Sequence, residues 1–266
     1  VPLIERHALD ARLRRVTVAR VEPRGAGMRR VVFEGPDLDD LVFHGPSDHA
    51  KVFFPTEPDG EPAVPTEGFT SRNDPRYVCR EYTVRRDVDG TGLVMGMALH
   101  EDGPAGRWAA AAEPGRVLGV YGPKTSKVPP LDLDGYLLVA DLTGLPAVTN
   151  WLGMLADRPG RVHVVVEVQG PEEQVELPTR DGVTVTWVHR GATPPGTGTH
   201  LRDAVAATPL PSTRPWVWAG AEASVVRDVR RDLLARSVER QNLSMTGYWR
   251  AGVPNFDHKA PLDDAS

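Results

Sequence analysis

The stretch Tyr136-Leu137-Leu138-Val139-Ala140, then Leu145, Val148, Leu152 and Leu155, then Val162-His163-Val164-Val165-Val166-Glu167-Val168, decides the fold class. The first run reads as a buried strand. The four apolar residues after it recur at the spacing of one helix face, and Pro159-Gly160 stops that helix. The third run is almost continuous valine, the pattern of a strand covered on both faces. Val183 to Val188, Trp216 to Ala219 and Met245 to Trp249 read as further strands, with helical segments around Leu201 to Ala207 and Ala223 to Ala235. Alternating strand and helix implies a parallel, doubly wound sheet.

Upstream the pattern changes. Val16 and Val18, Val31 to Phe33, Val52 to Phe54, Cys79 to Val84, Leu93 to Leu99 and Val117 to Tyr121 are β-rich runs broken by Pro and Gly, and no helical period appears before Ala105. A mostly antiparallel barrel fits, because closing a sheet removes exposed edges. Residues 55–75 form a long breaker-rich loop without periodicity, of the kind that is functional or disordered. The division is placed near residue 130: a β domain over 1–130, an α/β domain over 131–252, and a loose tail over 253–266.

Composition agrees. At about 150 residues per domain, 266 residues suggest about two domains, and 25% charged with 40% hydrophobic residues suits a chain that buries a core. No apolar stretch approaches the ~20 residues of a membrane span. The opening VPLIERHALDARLRR has neither an apolar signal core nor a small-residue cleavage site. Cys79 is the single cysteine, which excludes an internal disulfide and a cysteine-rich metal or iron–sulfur site. Together these point to a cytoplasmic protein with no membrane partner; a monomer is the separate expectation, which composition does not decide. The net charge of −5 argues against nucleic acid as a partner.

The familiar catalytic signatures are missing. There is no phosphate-loop pattern, no GxSxG elbow, no strict GxGxxG and no HExxH pair, and the eight His are scattered, so neither a catalytic nucleophile nor a metal site is expected. What remains is Arg80-Glu81-Tyr82-Thr83-Val84-Arg85. Strand alternation puts Arg80, Tyr82 and Val84 on one face and Glu81, Thr83 and Arg85 on the other. An Arg can pair with pyrophosphate, a Tyr can stack on a flat ring and a Thr can hydrogen-bond a ring nitrogen, a set suited to a flavin dinucleotide. The same string also suits a plain barrel strand with surface charges. In His100-Glu101-Asp102-Gly103-Pro104-Ala105-Gly106-Arg107-Trp108, Gly103 turns the chain and Pro104 opens a short helix whose free N–H groups suit an anion. An ordinary strand–turn–helix reads the same way. Gly122-Pro123 follows the strand ending at Tyr121.

In order along the chain, Lys51-Val52-Phe53-Phe54-Pro55, the RxYTxR string, HxxGPAxxW, Ala140-Asp141-Leu142-Thr143-Gly144-Leu145-Pro146-Ala147, Trp218-Ala219-Gly220-Ala221-Glu222-Ala223-Ser224 with Arg227 and Arg230, and Gly247-Tyr248-Trp249-Arg250 resemble the siderophore-interacting protein family, flavin reductases of the ferredoxin-reductase-like superfamily. The resemblance implies a six-stranded antiparallel FAD-binding β-barrel followed by a doubly wound NAD(P)H-binding-like domain. It implies that Arg80, Tyr82, Thr83 and Val84 hold FAD and that His100, Gly103, Pro104, Ala105 and Trp108 line its phosphate side. Asp141, Thr143 and Gly144 would serve the nicotinamide. Here the sequence departs from the family: an acidic residue is replaced by Leu142, and a Gly-Glu pair becomes Gly220-Ala221-Glu222. The electron donor is therefore NAD(P)H or another carrier such as a ferredoxin.

The activity implied is FAD-dependent reduction of a ferric siderophore, releasing Fe(II) without cleaving the chelator. Lys51, Lys124 (or Lys127) and Arg250 are the candidates for an anionic substrate, and in the family these positions converge beside the flavin. Two other readings stay open: a flavin reductase with a different acceptor in secondary metabolism, and a siderophore- or flavin-binding module that has lost NAD(P)H use. Residue by residue, blander roles also stand. Trp216, Trp218 and Trp249 suit packing, Cys79 suits inert packing, Lys51 suits a solvated strand charge and Arg250 a structural salt bridge.

Overall fold

Alternation of buried and exposed side chains along 13–23 makes the first long strand of an antiparallel sheet, and the same rule builds the rest of it. The structure is a computed structural model that describes residues 4–57, 59–66, 74–86, 90, 92–100 and 103–262. The chain divides between Val128 and Pro129 into two units. The expected loop at 55–75 lies partly outside the described residues, at 58 and 67–73.

In the first unit the strands are β1 (Glu5–Ala8), β2 (Leu13–Pro23), β3 (Met28–Glu34), β4 (His49–Phe54), β5 (Val78–Thr83), β6 (Arg85–Arg86), β7 (Leu93–Ala98), β8 (Val117–Tyr121) and β9 (Thr125–Val128), with helix α1 (Pro104–Ala110) between β7 and β8. Seven of them form one antiparallel sheet in the order β5-β4-β8-β2-β3-β7-β6. Its two ends, β5 and β6, are consecutive pieces of the run 78–86, pairing with β4 on one side and β7 on the other. The sheet therefore curls on itself, and six chain segments make the barrel that the sequence implied. Val16, Val31, Phe33, Val52, Met95 and Leu118 fill its interior with Trp108 of α1. The small β1–β9 ladder escapes the sequence reading, since ERHA and TSKV carry no alternating apolar pattern.

The entry to β4 is fixed by a buried carboxylate. Asp48 accepts from the backbone N–H groups of His44 at 2.8 Å and Gly45 at 3.0 Å, and from the Ser126 hydroxyl. Charge-assisted bonds of this kind hold a loop without a cation.

The second unit contains β10 (Gly135–Asp141), α2 (Leu145–Met154), β11 (Arg161–Val168), β12 (Val183–His189), α3 (His200–Ala207), β13 (Trp216–Glu222), α4 (Ala223–Ala235) and β14 (Leu243–Trp249). All five strands are parallel, in the order β12-β11-β10-β13-β14. Every residue of β10 and β13 is buried, which explains their unbroken apolar runs. Leu137, Val139, Val217 and Ala219 pack against α3 and α4. On the opposite face Trp151 of α2 lies 6.2 Å from Tyr136 and 6.5 Å from Trp218 between ring centroids. The sheet is thus doubly wound. Helix α2 ends five residues before Pro159, because Ala156 to Arg158 are exposed and have no apolar face to bury. In the C-terminal stretch, Leu262 lies against the α3–α4 core. Among the described residues no helix is long and apolar enough to cross a membrane.

Candidate functional site

Antiparallel partners share a face, so the β4–β5 register sorts the RxYT string. Ala50 opposes Tyr82, Val52 opposes Arg80 and Phe54 opposes Val78. Ala50, Val52, Phe54, Val78 and Tyr82 pack on the barrel core, so Arg80 and Tyr82 share one strand face, and Val84, just past the end of β5, is buried in the same core. Lys51 opposes Glu81, Phe53 opposes Cys79 and His49 opposes Thr83 on the other face. Val84 is fully buried and Thr83 nearly so, whereas Arg80 and Tyr82 are half-buried, and the Arg80 guanidinium donates to the Cys79 carbonyl at 2.8 Å. Burial pushes the Tyr82 hydroxyl up to about 12, against the pull of the Arg80 charge. Tyr82 therefore stays neutral at physiological pH, with an aromatic face for packing.

The second motif comes next to the first through one ring. Phe54 lies 5.8 Å from Tyr82 and 5.6 Å from Trp108 of α1. Gly103 caps α1 with φ 118°, a conformation that favours glycine, and Pro104 takes the first helical position. Ala105 and Trp108 are buried, and the Trp108 indole N–H has no partner among the described residues. Sequence reasoning missed the role of Gly106: a Cβ there would meet the His100 carbonyl oxygen at 2.3 Å and its ring at 2.8 Å. His100 packs directly on the helix for that reason. An open hollow of about 320 Å³ follows, lined by Leu99, His100, Arg107 and Ala110. A half-buried tyrosine face, a guanidinium on the same strand face and a hollow bordered by basic side chains beside a bare glycine turn are donors and surfaces that suit a flavin dinucleotide.

Two of the expected substrate cations meet around Tyr121. Lys51 is its register partner across β4–β8, and the Lys124 ammonium sits 5.1 Å from its ring centroid. Lys124 is exposed; Lys51 is half-buried and ion-paired with Glu81. Lys127 is likewise exposed, on β9. Register, unreadable without the fold, is what finds the Glu81 partner.

In the α/β unit the strand order reverses between β10 and β13, and ligands of doubly wound sheets bind outside the carboxyl ends at such a reversal. Asp141 ends β10 there. Its Oδ1 accepts from the Thr143 N–H at 2.8 Å and hydroxyl at 2.6 Å, and its Oδ2 from the Glu222 N–H at 3.0 Å and the Trp249 indole N–H at 2.7 Å. Burial nevertheless pushes its carboxyl above the usual range. Glu167, opposite Asp141 on β11, is raised by burial and then by the Asp141 charge. Glu222 ends β13 and caps α4, accepting from the Ser224 N–H at 2.6 Å and the Val225 N–H at 3.0 Å. Gly144 lies so close to β13 that a Cβ would meet the Gly220 carbonyl oxygen at 2.2 Å. Asp141, Thr143 and Gly144 are thus brought together. Trp216 and Trp218 are core residues, as expected of packing aromatics, while Trp249 also donates a hydrogen bond. Arg250 is exposed and makes no ion pair among the described residues.

Residues 17–127 match the siderophore-interacting FAD-binding domain, and residues 133–252 match siderophore-interacting protein. The NADPH-dependent ferric-chelate reductase of Escherichia coli (strain K12) is 33% identical over 252 residues, covering 91% of this chain and 94% of the relative. The chain belongs to the siderophore-interacting protein family. It is also 27% identical over 233 residues to the ferric vibriobactin reductase ViuB of Vibrio cholerae, covering 84% of each. Among solved structures, a siderophore utilization protein from T. fusca is 35% identical with a TM-score of 0.89, covering 97% of this chain and 100% of that one. In this siderophore-interacting protein the two family matches fall on the barrel unit and the α/β unit respectively.

Proposed function

We propose that this chain is a cytoplasmic FAD-dependent ferric-siderophore reductase, taking electrons from NAD(P)H or another carrier such as a ferredoxin. The observation that carries the reading is the link Tyr82–Phe54–Trp108, which joins the RxYT strand and the GPAxxW helix inside the unit matched to a siderophore-interacting FAD-binding domain. Relatives named as ferric-chelate and ferric vibriobactin reductases support the substrate class.

Bound FAD would supply the chemistry: hydride uptake and delivery of single electrons. The chain supplies position and field. Arg80 is the residue for the pyrophosphate, Tyr82 for the flat ring, Thr83 and Val84 for its edge, and His100, Gly103, Pro104, Ala105 and Trp108 for the phosphate side. Asp141, Thr143 and Gly144 form the place for the nicotinamide. Lys51 and Lys124 in the barrel unit, and Arg250 in the α/β unit, are the cations proposed for an anionic ferric chelate. Fe(III) gains one electron and leaves as Fe(II), which hard oxygen ligands hold far less tightly. No protein nucleophile is needed, and the sequence carries no GxSxG elbow.

The test is the absorption spectrum of the purified protein followed by anaerobic mixing with NADPH, NADH or reduced ferredoxin, and then with a ferric chelate in the presence of a chromogenic Fe(II) trap. A yellow protein that bleaches with one donor and then forms the Fe(II) complex is the expected result. A protein that binds no added FAD would overturn the reading; one that binds FAD but bleaches with no donor would be a binding module.

A further inference from the structure

Asp141 and Glu222 are 9% and 2% exposed, and neither makes an ion pair among the described residues. A buried carboxylate without a cation must be met by hydrogen-bond donors. Six of the donors to this pair are local: the Thr143 N–H and hydroxyl, the Glu222 N–H, the Ser224 N–H and hydroxyl, and the Val225 N–H. The other two come from the end of β14. The Trp249 indole N–H donates to Asp141 Oδ2 at 2.7 Å, and the Ala251 N–H donates to Glu222 Oε1 at 3.2 Å. Arg250 stands between those two anchored residues.

Three further features fix this segment. The β13–β14 register shifts after Ala221, so that Glu222 opposes Trp249 where regular pairing would bring Tyr248. Such a bulge re-aims the side chains that follow it. The loop before α3 covers the joint, since a Cβ on Gly196 would meet Glu222 Cγ at 2.6 Å and the Trp249 ring at 3.0 Å. Beyond Arg250 the chain turns back, with the Val253 N–H donating to the Arg250 carbonyl at 3.0 Å. The outcome is an exposed guanidinium on a backbone held from both sides.

We propose that Asp141 and Glu222 are positioning residues for substrate capture: they clamp residues 249–251 so that Arg250 presents its guanidinium to the anionic ferric chelate. This rests on the reading of Arg250 given above. Among the described residues β14 is an edge strand, paired only with β13, and without the clamp its end would fray and the guanidinium would sample many directions. Preorganisation lowers the ordering cost of binding.

The experiment uses the full-length, flavin-loaded protein and measures Kd by calorimetry for gallium(III) citrate, an anionic chelate that cannot be reduced, and for a neutral gallium(III) trihydroxamate. Trp249→Phe removes the indole donor and leaves both carboxylates. It should weaken the anionic chelate about three- to tenfold, the loss expected for one hydrogen bond, and leave the neutral one alone. In an Arg250→Ala background the same change should add nothing, since coupled residues are non-additive. Asp141→Ala should behave like Trp249→Phe, and Asp141→Asn, which keeps an acceptor, should recover most of the affinity. Additive losses in the double variant, or equal weakening of the neutral chelate, would overturn the clamp. Arg250→Ala binding the anionic chelate like the parent would instead overturn the assignment of Arg250 itself.

Discussion

Lys51 and Glu81 face each other across the β4–β5 ladder, and their side chains form an ion pair. The cation expected to attract an anionic chelate is therefore partly neutralised before any substrate arrives. An acidic protein of net charge −5 needs a local positive field to draw an anion, and Glu81 sets how much of it Lys51 can offer.

Glu81→Gln should therefore strengthen capture. Ion pairs that keep some solvent contact, as this one does, are worth up to about 1 kcal/mol, so the KM for an anionic ferric chelate should fall by up to about fivefold at low salt. Lys51→Ala should raise it. Raising ionic strength toward a screening length of about 8 Å should erase most of both effects, and a neutral chelate should respond to neither. If Glu81→Gln leaves the anionic KM where it was, Lys51 is a solvated strand charge.

Flavin occupancy should depend on the RxYT face. Losing a charge-assisted bond to phosphate costs roughly 1.5–3 kcal/mol, or about tenfold to a hundredfold in affinity. Arg80→Ala should purify pale and Tyr82→Ala should bind added FAD weakly, as read by the visible spectrum. Full occupancy in Arg80→Ala would remove Arg80 from the site.

Gly106→Ala pits two effects against each other. Alanine gains about 1 kcal/mol over glycine in a helix. The new Cβ would sit 2.3 Å from the His100 carbonyl oxygen, a backbone atom, and overpacking of that kind costs about 1–3 kcal/mol. The clash should win, lowering the unfolding midpoint and displacing His100, so FAD affinity should fall as well. A variant more stable than the parent would show that His100 moves freely.

Asp141 predicts a pH dependence of stability. Its folded pKa is raised, chiefly by burial, so its contribution is fully present below about pH 4, the ordinary Asp range, and is lost as pH rises through the raised folded value. Glu167 adds to the same trend, because its own carboxyl is raised by burial and by the Asp141 charge. Asp141→Asn loses an acceptor at every pH but carries no charge. Thermal unfolding of the two proteins should show the variant gaining on the parent as pH climbs from about 4 toward neutrality. A difference that shrinks with pH would mean that the four donors outweigh desolvation.

The apolar patterns were enough for the two-part architecture. β10 and β13 are buried along their whole length, so residues 136–140 and 216–221 run continuously apolar up to the closing Asp141 and Glu222, and a parallel sheet follows from them. Alternation in β5 already put Arg80 and Tyr82 on one face, because side-chain direction in a strand is a local property. The ordered motifs likewise carry the resemblance to the siderophore-interacting family in the sequence alone. What the chain order could not reveal were pairings between distant positions. Glu81 reaches Lys51 through strand register, His100 rests on Gly106 through a close approach, and Asp141 holds Trp249 across 108 residues of sequence. The β1–β9 ladder was hidden for the same reason, having partners but no pattern. Local periodicity records which side of an element meets the core; only the folded backbone decides which polar group on another element lies within hydrogen-bond reach, and that choice sets the charge and geometry of the site.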